Sequence, residues 1–314
     1  MNLKFITKSS LIEKILFCLI IILIIFTINK IDLVKKDTFI DKKENFIKYY
    51  GNDIYDKFYV SIYDKLLYDN VKNVYEVGEI INRKVPTNII KLLDVGCGTG
   101  HHVNLFNGKN INCTGIDLSE EMINKASENY PDLQSKFKLA NVLDNMIFQD
   151  NEFTHISCLN YTIYSIKDKE QFFENCFKWL IPGGVLIIHL VDIYNYSPIL
   201  PYADVAEILS LQLKSKDRLT ESFIRFDDFT YKSKFVIDYE YSSNKNISKP
   251  NAFFREKFIF DDKKIRLNEH QYYMNTQKTI MSIAKDIGFI QTGYLEMDNV
   301  NYKNNYLYWL YKPE

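Results

Sequence analysis

The sequence is short of arginine, glycine and net charge. Only five of its 39 basic residues are Arg (Arg83, Arg218, Arg225, Arg255 and Arg266). Arg is the side chain that grips phosphate bidentately. A formal net charge of -1 supplies no basic field for a polyanion. Together these argue against a nucleic-acid partner. The cysteines (Cys18, Cys97, Cys113, Cys158 and Cys176) are odd in number, and none sits at metal-ligand spacing. They read as buried thiols in a reducing compartment, not as a disulfide framework. With no HExxH and no Cys/His pattern, no metal site is expected. The remaining composition, 46% hydrophobic and 25% charged, is that of a globular chain and excludes a wholly disordered or collagen-like one. Its 314 residues suffice for one large domain or two small ones.

The longest apolar run lies at the N-terminus. Ile15 to Ile28 are apolar except Thr27, and Leu11 and Ile12 extend the stretch to residues 11–28, interrupted by Glu13 and Lys14. A helix of that length spans about 27 Å at roughly 1.5 Å per residue, close to a hydrocarbon core of about 30 Å. No small-x-small cleavage site follows, so residues 1–30 are expected to be an uncleaved membrane anchor. Lys4, Lys8 and Lys14 precede the run, whereas Lys30, Lys35, Lys36, Lys42, Lys43 and Lys48 follow it. That excess places the body of the chain on the cytoplasmic side of the membrane. Residues 31–48 alternate Lys with Asp and Glu and read as a charged linker, with one folded body over 49–314.

Within the body, residues 53–68 and 71–84 carry helical spacing, the second stopping before Pro86. IIKLLDV (89–95) is a continuous apolar run suited to a strand buried on both faces. INCTGIDL (111–118), FKLANVL (137–143), FTHISCLNY (153–161) and GVLIIHLV (184–191) read as further strands. Helices separate them, at SEEMINKASEN and at DKEQFFENCFKWL (168–180). Such alternation implies a parallel sheet with right-handed crossovers. Residues 192–274 break the rhythm with period-two stretches and turn-like separators, predicting an antiparallel insertion or lid. QKTIMSIAKDIG is a helix ending at Gly288, and two strands, FIQTGYLEM and YLYWLYK, close the chain.

Three of the 11 glycines fall within five residues, Gly96, Gly98 and Gly100 in LLDVGCGTG (92–100). They follow a buried strand and precede HHVNLF, which can start a helix. Glycine there permits a sharp turn and close backbone approach to a ligand, and the helix N-terminus offers free N–H groups. Asp117 follows 17 residues after Gly100, at the next strand end, where a carboxylate can accept both hydroxyl hydrogens of a ribose. A dinucleotide fingerprint would need a sixth-position glycine, but His101 stands there.

LLDVGCGTG, GIDLSEEMI and LIPGGVLII (180–188) resemble the first, second-strand and fifth-strand motifs of the class I, Rossmann-like S-adenosylmethionine-dependent methyltransferases. The resemblance covers about residues 55–191, with 276–312 fitting the family's closing antiparallel hairpin. It implies an α/β fold with a seven-stranded, mostly parallel sheet of order 3-2-1-4-5-7-6. An antiparallel β insertion then follows strand 5 at about 192–274. It makes Asp94, Gly96, Cys97, Gly98 and Gly100 contacts of the methionine moiety, Asp117 the ribose acceptor, and Leu118 a neighbour of the adenine. Asn141 and Val142 would flank the adenine edge, although the family usually has Asp where Asn141 stands; an amide still offers donor and acceptor. Leu159 and Asn160 would lie near the reacting sulfonium. Tyr63 would sit on a helix covering the cofactor, or would serve only as a core aromatic.

Methyl transfer from a sulfonium needs alignment and exclusion of water more than a nucleophilic triad, and a base only where the acceptor must lose a proton. His189 and Asp192, at the end of strand five, and Tyr164 are the candidates, with His102 behind them. His270, Arg255 and Arg225 of the insertion are expected to be solvated or paired. The insertion's aromatics either line a pocket or pack the added sheet. A small-molecule acceptor is expected, with lipid-linked or protein acceptors left open by the anchor. The competing reading is a non-catalytic S-adenosylmethionine-binding module tethered to a membrane.

Overall fold

The computed structural model describes residues 46–82, 89–198 and 220–314. The anchor expected at residues 11–28 lies outside them; among the described residues no helix is long and apolar enough to cross a membrane.

Two sheets organise the chain. The larger is built from β2 (Lys91–Val95), β3 (Asn112–Asp117), β4 (Phe137–Leu139), β5 (Phe153–Cys158), β6 (Leu180–Val191), β11 (Ile290–Glu296) and β12 (Asn305–Tyr311). Its order is β4-β3-β2-β5-β6-β12-β11, the predicted 3-2-1-4-5-7-6. The first five strands are parallel, while β12 runs antiparallel to both β6 and β11. Strands β2 and β5 are buried along nearly their whole length and so on both faces. The expected third and fourth strands are shorter than read. β4 stops at Leu139 and β5 at Cys158, because residues 140–143 and 159–161 turn over the edge of the sheet instead.

The helices begin where a short polar side chain can cap free N–H groups. Asp56 accepts from Tyr59 N at α1 (Lys57–Leu67), Asp69 from Lys72 N at α2 (Asn70–Ile81), and Ser119 from Met122 N at α4 (Glu120–Asn129). Between them, α3 (His101–Gly108) starts directly from the glycine loop. A short α5 (Thr162–Ser165) precedes α6 (Lys169–Trp179), capped by Asp168. α7 (Gln277–Ile287) ends on Gly288 at φ 118°, the left-handed closure expected of that residue.

The smaller sheet is the predicted insertion: β7 (Glu221–Arg225), β8 (Phe229–Ile237), β9 (Ala252–Phe260) and β10 (Ile265–Tyr272) form an antiparallel meander. Its first turn falls at residues 226–228, and KFVI continues β8. A fifth strand is unanticipated. β1 (Phe46–Tyr50) pairs parallel to β10, Phe46 with Ile265 through Tyr50 with Glu269. Residues 46–48, assigned to the charged linker by their composition, therefore belong to this sheet. Lys48 and the partial exposure of the strand suit an edge position.

Helix α1 lies on the smaller sheet. Ile54, Tyr59, Ile62 and Leu66 pack with Phe229, Tyr231 and Phe258 in one apolar cluster. Arg266 fixes the docking: its guanidinium donates to Asp56 Oδ2 (2.7 Å), the Ile54 carbonyl (2.8 Å) and Asn268 Oδ1 (2.8 Å). The far end is tied by Lys169, buried and donating to the carbonyls of Ile166 and Tyr273 at 2.9 Å each.

Candidate active site

The loop between β2 and α3 turns through three left-handed glycines, Gly96 (φ 72°), Gly98 (φ 52°) and Gly100 (φ 89°). Their surroundings differ. A Cβ on Gly96 would meet Thr162 Cγ2 at 2.5 Å, and one on Gly100 would meet Phe137 at 2.8 Å. These two glycines are required by packing. A Cβ on Gly98 would meet only the Tyr63 ring, at 3.9 Å, so here the main chain faces open space. That space is a cavity of about 820 Å³.

Asp117, at the end of β3, crosses to this loop. Its Oδ2 accepts from Gly98 N (3.0 Å) and its Oδ1 from Ser119 N (2.9 Å). Burial pushes the carboxyl upward, and the N–H groups of Ser119, Gly98 and Leu118 oppose that rise. Asp94 is buried beneath the loop and accepts from Ser157 Oγ at 2.7 Å. Helix α1 closes over the top, where Thr99 Oγ1 donates to Asp64 Oδ1 (2.6 Å) and His101 Nε2 lies 3.1 Å from Asp64 Oδ2. At the other rim Asn141 folds back, its Oδ1 accepting from Leu143 N at 3.0 Å. Leu118 is 57% exposed and presents an apolar face to the cavity.

A buried polar cluster backs the end of β5. Lys72 Nζ lies 2.7 Å from Glu76 Oε1, Glu76 Oε2 lies 2.8 Å from His102 Nε2, and Lys72 also donates to Asn160. Burial alone would raise the Glu76 carboxyl. Lys72 and His102 outweigh it and hold the group down to about 2. Asn160 and Tyr161 adopt left-handed backbone (φ 49° and 64°), uncommon for residues with a Cβ.

The wall opposite the loop comes from α1 and the smaller sheet: Tyr55, Tyr59 and Tyr63, with Tyr231, Phe254, His270 and Tyr272. Behind them Glu256 is fully buried. It accepts from Tyr231 Oη (2.8 Å) and Asn268 Nδ2 (3.2 Å), and its Oε2 lies 2.7 Å from His270 Nε2. Burial would raise this carboxyl too, but His270 and the hydroxyls of Tyr231 and Tyr59 hold it below the ordinary range.

Residues 93–188 match the family model described as a methyltransferase domain. Over that stretch the chain carries a methyltransferase domain. Phosphoethanolamine N-methyltransferase 1 of Arabidopsis thaliana is 37% identical over 122 residues, which is 38% of this chain and 24% of that protein. The dTDP-4-amino-2,3,4,6-tetradeoxy-D-glucose N,N-dimethyltransferase of Saccharopolyspora spinosa is 28% identical over 116 residues, 36% of this chain and 45% of that one. The chain thus spans between a quarter and a half of these curated relatives. Among solved structures, an S-adenosylmethionine-dependent methyltransferase from Clostridium acetobutylicum shares the fold at TM-score 0.58 and 18% identity, covering 82% of this chain and 98% of that one.

The methyltransferase domain's cofactor is S-adenosylmethionine, and the cradle fits it. Open main chain at Gly98 lies beside a buried carboxylate at Asp117, next to an apolar rim at Leu118. Eleven of the twelve residues expected at the cofactor line this cavity: Asp94, Gly96, Cys97, Gly98, Asp117, Leu118, Asn141, Val142, Leu159, Asn160 and Tyr63. Gly100 does not. It starts α3 from behind the loop, filled in by Phe137 and Ala126.

The expected bases fare differently. His189 is fully buried and absent from the lining. Its Nε2 is 3.0 Å from Asn305 Oδ1, and its ring lies behind Tyr161, with centroids 4.9 Å apart. Asp192 also lies away from the cavity and caps a turn, accepting from Tyr194 N at 3.0 Å and Asn195 Nδ2 at 2.7 Å. Tyr164 does line it, but its hydroxyl is engaged with the main chain of Val191, accepting from N at 3.0 Å. His102 lines the cavity and is held by Glu76. Arg225 and Arg255 are paired, as expected, with Asp261 and Glu269. His270 is instead buried and faces the cavity, and with Glu256 it was the feature not legible as a site. The only available signal was two ionisable residues on strands otherwise rich in aromatics.

Proposed function

We propose that this protein transfers a methyl group from S-adenosylmethionine to a small-molecule acceptor held between the glycine loop and the smaller sheet. One observation carries the reading: a single cavity is lined on one side by Gly98 and Asp117 and on the other by Tyr231, Phe254 and His270. A cofactor cradle alone would not require that second wall. When bound, the sulfonium supplies an activated methyl group open to in-line displacement. In this reading Asp94, Gly96, Cys97 and Gly98 hold the methionine end, Asp117 the ribose, and Leu118, Asn141 and Val142 the adenine. Leu159 and Asn160 lie closest to the reacting centre, and Tyr63 roofs the loop. The chain's contribution is alignment of donor and acceptor and exclusion of water by α1 and the aromatic wall. The two relatives named above methylate nitrogen on small molecules, by their names, which supports an acceptor of that size. Anchoring through residues 11–28, with the enzyme facing the cytoplasm, belongs to the same reading and rests on the apolar run and its flanking lysines.

Calorimetric titration with S-adenosylhomocysteine, followed by a methyl-transfer assay over small-molecule acceptors, tests it. Micromolar binding with turnover supports an enzyme. Binding without turnover on any acceptor returns the tethered binding module, and absence of binding removes both.

A further inference from the structure

We infer that His270, oriented by Glu256, is the general base for an amine acceptor and that the aromatic wall binds this amine as a cation. The inference rests on the proposed methyl transfer and names its substrate class.

The geometry fixes the tautomer. Glu256 is an ionised carboxylate and only accepts, so the hydrogen between its Oε2 and His270 Nε2, 2.7 Å apart, sits on the imidazole. Nδ1 is then the basic nitrogen. The ring's hydrogen bonds to Tyr59 and Glu256 are both at Nε2, and the ring lines the cavity. The hydroxyl of Tyr59, 3.3 Å from Nε2, turns to the carboxylate, as does that of Tyr231. Every donor in the network therefore serves Glu256, and the imidazole is held as a base by a third group.

The surroundings select a cation. The rings of Tyr55, Tyr59 and Phe254 lie within 5.7–6.0 Å of the His270 ring, centroid to centroid, and Tyr272 is stacked parallel at 6.3 Å. Aromatic faces around a buried negative charge attract an ammonium group. The fixed charges lining the cavity among the described residues point the same way: Asp64, Asp94, Asp117 and Glu221 against Lys167 alone. A phosphate-bearing amine would find carboxylates where it needs donors. The matched stretch, residues 93–188, ends before the smaller sheet, which supplies Tyr231, Phe254 and His270 to the cavity wall.

The step balances. Nδ1 takes one proton from the ammonium; the freed amine lone pair forms the C–N bond as the C–S bond breaks and its electron pair returns to sulfur. The product is the N-methylammonium, and the imidazolium releases its proton to water. The groups facing His270 are Glu256 and Phe254 from β9, Tyr272 on its own strand, and Tyr55 and Tyr59 from the α1 side. The phenols are raised by burial and stay neutral.

The test compares wild type, His270→Gln and Glu256→Gln with S-adenosylhomocysteine bound. Calorimetric titrations use ethanolamine, phosphoethanolamine and an amino hexose, and methyl transfer to each is followed against pH. Homocysteine-form affinity unchanged within threefold certifies the fold and the cofactor reading in each variant. The proposal expects the unphosphorylated amines to bind at least tenfold more tightly than phosphoethanolamine. It expects Glu256→Gln to weaken that binding at least tenfold. It expects His270→Gln to lower kcat at least a hundredfold and to abolish the acid limb of the pH–rate profile. Should Glu256→Gln fail to fold, Tyr231→Phe serves, with a smaller loss of amine binding. Preference for phosphoethanolamine, no amine binding to a competent complex, or an acid limb that survives in His270→Gln overturns it. Failure of S-adenosylhomocysteine to bind wild type overturns the cofactor reading instead.

Discussion

The main-chain N–H of Gly98 donates to Asp117 Oδ2 across 3.0 Å, joining two strand ends that are neighbours in the sheet but separated in sequence. The loop and the carboxylate are thereby one preorganised unit. A ligand bound there exchanges hydrogen bonds already aligned and does not have to order the loop.

Asp117→Ala removes both roles of that carboxylate. Hydrogen bonds to a charged group contribute about 1.5–3 kcal/mol each, so S-adenosylhomocysteine affinity should fall on the order of 10- to 100-fold. Asp117→Asn keeps an acceptor for Gly98 and should fall less. Calorimetry on both variants checks the order.

The glycines separate packing from ligand approach. Gly98→Val places a side chain into open cavity at a left-handed φ; it should weaken cofactor binding at least tenfold. The strain costs about 1–2 kcal/mol, a Tm loss of several degrees. Gly96→Ala instead drives into Thr162 and should lower Tm more. The double variant Gly96→Ala/Thr162→Gly should recover part of it. Thermal melts with and without S-adenosylhomocysteine distinguish the two.

His189 is expected to act on stability and not on turnover. Burial, with Lys72 adding, pushes its imidazole down to about 4. Between that value and an ordinary histidine near 6.5 the unfolded chain binds the extra proton, so the native state loses stability as pH falls through this window. His189→Gln should leave methyl transfer within about threefold, whereas a hundredfold loss at intact cofactor affinity would restore it as a base. His189→Phe should flatten denaturant-derived stability between pH 6.5 and 4.

Glu76 works in the adjoining range. With its folded value held to about 2, its contribution is complete above an unfolded value near 4.5. It disappears as pH falls from there toward 2. Glu76→Gln leaves Lys72 buried without its carboxylate, which costs about 3–5 kcal/mol. The companion Lys72→Met/Glu76→Leu should recover much of that loss. Urea titrations at neutral and acid pH measure both effects.

The sequence by itself determined the parts whose physics is local or nearest-neighbour. The doubly apolar run before Gly96, the three glycines and Asp117 fix a strand–loop–helix–strand unit. Ser119 and Gly288 mark helix ends, alternation of strands with helices implies a parallel sheet, and the strand order follows from the family resemblance of the motifs. Tertiary structure decided everything that depends on which surface covers which. Residues 46–48 read as the end of the charged linker that precedes them, and 46–50 become β1 because β10 has an open edge to pair with. His189 ends an inward-facing strand, yet Tyr161 stands between it and the cavity. His270 reads as solvated or paired, and Glu256 draws no reading, because polar residues on an alternating strand normally face water. Here Asn268 pairs with Glu256 in register, placing His270 on the same face two residues along. That face is buried only because α1 docks on it. Period-two alternation separates the two faces of a strand but does not say which one another element will cover.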